Sequence, residues 1–219
     1  MECPVKHELR KDLEALPDRM KSLHVDKRGY VVPWFVDWEN GEPEFRAMDM
    51  KKWVRAVNEK LCWVCGERLG RFATFVAGPM CGINRTSSEP PAHRECAQWS
   101  ARNCPFLNNS QAIRRVDEKI GADMSHVAGI ALTRNPGVAM LWTTRTWSVF
   151  SDGKGRMLLT FGDPEHVEWY AEGKPATREQ VLASVESGLP ALAALAQQQD
   201  GAMAYLMECK RKFEKYYPA

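Results

Sequence analysis

Apolar positions along the chain change period several times, and those changes divide it into elements. Residues 5–22 carry apolar side chains at helical spacing and predict an amphipathic helix that ends near Pro17. Tyr30-Val31-Val32-Pro33-Trp34-Phe35-Val36, an Asn40-Gly41 turn and Phe45-Arg46-Ala47-Met48 predict a β-hairpin, with Pro33 at an edge or bulge. Asp49 suits the N-cap of a helix over about 50–61, with Trp53, Val54, Val57 and Leu61 as its buried stripe. Arg71–Ala77 reads as a strand, and Ala92–Arg102, after Pro90-Pro91, reads as a helix. A polar segment at 108–126 follows, helical over part of 110–120. Three β-like runs, Val127–Thr133, Val138–Thr144 or beyond, and Met157–Phe161, are separated by turns at Asn135-Pro136-Gly137 and Ser151-Asp152-Gly153-Lys154-Gly155, which predicts an antiparallel meander. Gly162-Asp163-Pro164 then opens a helical C-terminal third, with Glu165, Glu168 and Glu172 in its first turns. Thr177 and Gln180 fit a capping box, Gly188 and Pro190 break that helix, and 191–216 resumes it with a kink near Gly201.

This order of elements implies an α+β fold, with hairpin and meander strands around a cysteine-rich insert and helices at the C-terminal end. The expected organisation is 1–61, 62–107 and 108–219, integrated into one domain. Hydrophobic residues are 44% and charged residues 26% of 219, ordinary for a soluble globular chain and unlike a disordered or collagenous one. No run of about 18 apolar residues is present, and Met1-Glu2-Cys3-Pro4-Val5-Lys6 lacks the apolar core of a secretory signal. The expected setting is cytoplasmic, with no membrane partner.

Seven cysteines occur, Cys3, Cys62, Cys65, Cys81, Cys96, Cys104 and Cys209, and five of them fall between 62 and 104. In a reducing compartment, cysteines clustered this way bind metal more often than they form disulfides. Cys62-Trp63-Val64-Cys65-Gly66 and His93-Arg94-Glu95-Cys96 offer four soft ligands, and the C-x2-C loop is short enough to supply two of them to a tetrahedral zinc ion. Gly66 suits the tight turn, and His93 and Cys96 share one side of the first turn of their predicted helix. Cys81 and Cys104 are the rivals for a ligand position. Knuckle, hairpin and ligand-bearing helix together resemble a treble-clef zinc finger over about 62–104.

The wider pattern is also similar to uncharacterised proteins of bacteriophages and actinobacteria. It is carried by Arg28-Gly29-Tyr30, Val32-Pro33-Trp34-Phe35-Val36, the Cys62–Gly66 knuckle, Gly78-Pro79-Met80-Cys81, Asn84-Arg85, Glu89-Pro90-Pro91-Ala92-His93 and Cys104-Pro105-Phe106-Leu107. That resemblance implies a phage or bacterial cytoplasm and a zinc site, and no particular activity.

Three kinds of catalysis use residues of these types. An HNH-type nuclease needs a histidine on the hairpin to activate water, and 66–92 holds none; no aspartate lies between Asp49 and Asp117. His93-Arg94-Glu95 spells the H-x-E of zinc deaminases, but the C-x-x-C precedes it, and Cys96 supplies a fourth protein ligand that closes the metal to water. Cys81 lies in a glycine-flanked loop with no histidine assignable to it, since His126 and His166 are far along the chain. Binding rather than catalysis is the expectation.

Net charge is +2 overall but unevenly spread. Residues 61–115 hold seven arginines, no lysine and three glutamates, a net +4, whereas 151–200 is net −4. Guanidinium groups pair with phosphate in two-pronged fashion and stack on bases, so Arg68, Arg71, Arg85, Arg94 and Arg102 are the candidate nucleic-acid contacts. Arg94, Gln98 and Arg102 form one stripe at four-residue spacing. The interleaved Trp63, Phe72, Phe75 and Trp99 are expected in the core. The resulting expectation is a zinc-stabilised protein that binds nucleic acid; the alternatives are an adaptor or inhibitor acting on a host or phage protein, and an enzyme of unrecognised type.

Overall fold

The computed structural model describes residues 7–109, 135–153 and 155–219. Cys3, the expected helix within 110–120, the expected strand Val127–Thr133, Arg114, Arg115 and His126 lie outside the described residues.

The chain enters as an irregular arm, not as the helix expected over 5–22; its only helical turn there is a 3-10 turn at Asp18–Met20. Two antiparallel strands follow, β1 (Val36–Glu39) and β2 (Glu42–Met48), and they are joined by Asn40 and Gly41, both at positive φ (51° and 80°), as a two-residue primed turn requires. The hairpin therefore begins at Val36; Pro33 lies ahead of it. Asp49 caps α1 (Met50–Glu59) through the N–H groups of Lys51 and Lys52. This helix buries Trp53 and Ala56 but leaves Val54 50% exposed, so the apolar stripe is narrower than its sequence suggested.

After the cysteine knuckle come β3 (Ala73–Ala77), the short α2 (Pro79–Asn84), β4 (Thr86–Ser87) and α3 (Arg94–Asn103). The later part contains β5 (Ala139–Thr144), β6 (Trp147–Ser151), β7 (Met157–Phe161), β8 (Pro164–Ala171), β9 (Lys174–Pro175), α4 (Arg178–Ala196) and α5 (Ala202–Phe213). The architecture is α+β, with antiparallel sheets. One sheet runs β3-β5-β8-β9, another β4-β7-β6, and β1-β2 stands as a two-stranded ribbon.

Two expectations fail here. The meander is not consecutive: the run from Val138 onward divides into β5 and β6, which belong to different sheets, and among the described residues the hairpin across the turn at 151–155 is β6-β7. Residues 164–171 form a strand paired to β5, not the opening of a helix. Their alternation places Val167 and Trp169 on one face and Glu168 and Tyr170 on the other, a period-2 pattern that the proline and glutamates disguised.

All six positions of β5 are buried, because its sheet is covered on both faces. Met140 and Trp142 face a large aromatic core with Phe75, Phe161, Trp169, Phe213 and Tyr217. Leu141, with Tyr170 of β8, faces a second cluster built from the metal-site cysteines, Ala97, Trp99, Met20, Val25 and Val31. The capping box of Thr177 and Gln180 is present. α4 runs through Gly188 and Pro190 rather than breaking there, and at Gly188 Met80 of α2 approaches where a Cβ would lie. The break comes at Gly201, at φ 75°. Among the described residues no helix is long and apolar enough to cross a membrane.

Candidate metal centre

Lys60 closes α1 in the left-handed conformation (φ 54°) and swings the chain into Cys62. The knuckle is then closed by two backbone hydrogen bonds, Cys62 N–H to Glu67 O (2.7 Å) and Gly66 N–H to Cys62 O (2.8 Å). Gly66 is required twice over: its φ is 78°, and a Cβ there would lie 2.7 Å from Cγ of Trp34. The second ligand pair is delivered by Thr74, which exchanges backbone hydrogen bonds with Ala92, and by Pro91 O, which accepts from Trp63 N–H (3.0 Å). His93 is the N-cap of α3 in extended conformation, not a residue inside the first turn, and Cys96 stands three residues on.

The ligand atoms of Cys62, Cys65, His93 and Cys96 all lie within 4.8 Å of one another. The three cysteines are buried and His93 is half-buried. Among the described residues no other group of three or more potential ligands converges in this way. The rivals Cys81 and Cys104 are outside the cluster; burial pushes the Cys81 thiol up to about 11 and raises that of Cys104, which leaves both as inert packed thiols.

The surroundings suit a cation. Nδ1 of His93 sits 3.3 Å from Sγ of Cys65, while Nε2 lies 3.1 Å from the carbonyl oxygen of Arg68. A proton on Nε2, donated to that carbonyl, leaves the Nδ1 lone pair for a metal, the usual outer-shell arrangement of a ligating imidazole. The N–H groups of Cys65 (3.4 Å) and His93 (3.3 Å) point at Sγ of Cys62. Burial opposes ionisation of Cys62, but hydrogen bonds from Cys65, Cys96 and His93 outweigh it and hold this sulfur as a thiolate. The sulfurs of Cys62 and then Cys65 push His93 up to about 10, and Cys96 is raised by the same two neighbours. Three sulfurs and an imidazole nitrogen converging on one point are what a divalent ion would organise. Four potential ligands, three of them cysteines, would fill a tetrahedral ion's coordination and leave no position for substrate.

Residues that the sequence did not single out clamp this centre. Arg19 reaches Glu67 on the knuckle (2.6 Å) and Glu95 on α3 (2.8 Å). Glu95 is thereby engaged in a surface ion pair, away from the role that its H-x-E setting suggested. Asn103 Oδ1 accepts from Glu14 N–H (2.9 Å), Trp99 Nε1–H donates to Glu14 O (3.1 Å), and Arg102 pairs with the Glu14 carboxylate (2.9 Å). These partners are 48 to 89 positions apart, so no local signal could have shown them.

The five candidate arginines do not lie on one surface in equal states. Arg94 binds Glu168 (2.7 Å), with Gln98 on the other carboxylate oxygen (2.8 Å), so the Arg94–Gln98–Arg102 stripe is the seam that docks α3 onto β8 and the arm. Arg85 donates to Gly162 O (2.9 Å), pairs with Asp163 and lies 4.2 Å from the centre of the Trp142 ring. Arg68 and Arg71 are exposed on the loop between the knuckle and β3, with no carboxylate partner among the described residues. Of the interleaved aromatics, Trp63, Phe75 and Trp99 are buried as expected, but Phe72 is 41% exposed.

Comparison with protein-family models, curated proteins and solved structures gives no match. The functional reading accordingly rests on this geometry.

Proposed function

We propose that the chain is a zinc-stabilised binding protein in which the metal is structural and nucleic acid is the ligand. The Cys62–Cys65–His93–Cys96 set carries the first half of the reading: its ligand atoms lie within 4.8 Å of one another, three are cysteine sulfurs, and the imidazole is oriented by the Arg68 carbonyl. Soft thiolates with one imidazole in a four-ligand site favour zinc over calcium, magnesium or manganese. The centre ties the N-terminal arm, the knuckle and α3 to the sheet, a task for a folding metal rather than a reacting one. Thiolate ligation also implies a reducing compartment such as a bacterial cytoplasm, in keeping with the resemblance to phage and actinobacterial proteins.

The second half rests on the unpaired guanidinium groups of Arg68 and Arg71, which the metal-site loop presents to solvent. An adaptor that binds a protein is the second reading, and one observation favours it: Tyr205 (71%), Met207 (50%) and Leu195 (44%) are exposed on the C-terminal helices.

Metal analysis of the purified chain tests the metal reading. One zinc ion per chain is expected, and Cys65→Ser and Cys96→Ser should lose metal and melting temperature together. Full occupancy in either variant refutes the assignment. For the ligand, steep loss of binding with salt supports nucleic acid, and weak salt dependence supports the protein adaptor.

A further inference from the structure

We infer that Phe72, flanked by Arg71 and Arg145 and continued by Arg68, is a stacking platform for single-stranded nucleic acid; the inference rests on the nucleic-acid reading above and names its site.

Ala73 pairs with Thr144, which sets Phe72 and Arg145 beside each other where β3 and β5 end. The ring of Phe72 is 41% exposed, although the next three residues of its strand are buried. Two guanidinium carbons stand near it, Arg71 at 5.7 Å and Arg145 at 5.5 Å from the ring centroid. A flat aromatic face beside cations is the arrangement on which an unstacked base rests while its phosphates are neutralised.

Charge bookkeeping across the molecule points to the same place. The basic segment 61–115 and the acidic segment 151–200 meet in two ion pairs, Arg94 with Glu168 and Arg85 with Asp163, and Arg102 is taken up by Glu14. Arg145 is likewise shared with Glu165 (2.7 Å). Within the described part of that basic segment, the arginines left without a carboxylate partner are Arg68 and Arg71. That loop is held at Arg68 O by the His93 ring and at Leu69 N–H by Lys60 O (2.8 Å). A platform already ordered by the metal centre loses little freedom on binding. Single strands fit better than duplex, since paired bases keep their faces stacked away from a lone ring.

The test uses the full-length, zinc-loaded chain and fluorescence anisotropy, with a labelled oligothymidylate of about 12 nucleotides and a duplex of equal length in about 50 mM salt. The wild type should bind the single strand more tightly than the duplex. Phe72→Ala should weaken single-strand binding by about 5- to 100-fold, and Phe72→Trp should retain it. Arg71→Ala should reduce the log–log salt slope by about 0.7. Glu165→Gln, which frees Arg145, should strengthen binding. Zinc content and melting temperature report that each variant remains folded. If the wild type binds nucleic acid but Phe72→Ala and Arg71→Ala bind equally well, or if duplex is preferred, this platform is refuted while the nucleic-acid reading stands. If the wild type binds neither strand form, both fall.

Discussion

At the scale of single residues, one buried and one half-buried acid show how much of this molecule is held by carboxylates that local sequence does not mark. Asp26 is 3% exposed; its Oδ1 accepts from the N–H groups of Arg28 and Tyr30 (both 2.9 Å), and its Oδ2 accepts from Arg28 Nε–H. Glu168 accepts from Arg94, Gln98 and the Tyr170 hydroxyl. Burial opposes ionisation at both, but these donors outweigh it and hold both acids below the usual carboxylate range. Because each folded-state value is depressed, the stabilisation is fully present above about pH 5 and is lost as pH falls through the depressed folded values. Asp26→Ala should cost about 1–3 kcal/mol at neutral pH, since it strands two backbone donors. Glu168→Gln should cost about 1 kcal/mol, its pair being partly screened by solvent. Denaturation midpoints measured from pH 7 down to pH 3 should show both variants converging on the wild type at the acid end.

At the scale of elements, close approach decides which glycines are indispensable. Gly82 lies in α2 against α5, where an added Cβ would run into the Phe213 ring and come within 2.9 Å of Met140 Sδ. Phe213 and Met140 are 2% and 0% exposed, so neither has room to retreat. Gly82→Ala should therefore destabilise by about 1–3 kcal/mol despite its better helix propensity, and urea denaturation would show it as a lower midpoint at unchanged m. Gly137→Ala, in contrast, meets nothing within 4 Å but sits at φ 85°, so its cost is backbone strain of about 1 kcal/mol. Elements whose signals are local were legible: the Asn40-Gly41 turn, the Asp49 cap, the Gly66 knuckle and the Thr177–Gln180 box each depend on contacts within a few residues. The arm at 7–24 was misread because Leu9, Leu13 and Leu16 stand at helical spacing, yet they pack on the metal-site cluster from an irregular backbone that α3 holds.

For the whole molecule, the metal centre and the sheet share a boundary. The cluster around Cys62, Cys65 and Cys96 is continuous with Leu141 and Tyr170 on one face of the main sheet, and the arm is fastened over it by Arg19 and Glu14. Chelation should accordingly loosen the arm and α3 before the aromatic core around Trp142. Limited proteolysis in the presence of a chelator should cut first within 7–31; simultaneous loss of the whole chain would show that the two clusters unfold as one unit.

The ligand spacing, the caps and the turns were determined by the sequence alone, because a C-x2-C loop, an N-cap and a primed turn are each satisfied by neighbours in the chain. The alternation in 164–171, the pairing of β5 with β3 and β8, and the fate of each arginine were decided by tertiary structure. Whether Arg94 meets solvent or Glu168 depends on which strand lies opposite α3, 74 positions away. The exposure of Phe72 likewise follows from where β3 and β5 stop pairing, at Ala73 and Thr144. Such outcomes depend on contacts between distant segments, whose closure cost and register no local pattern encodes.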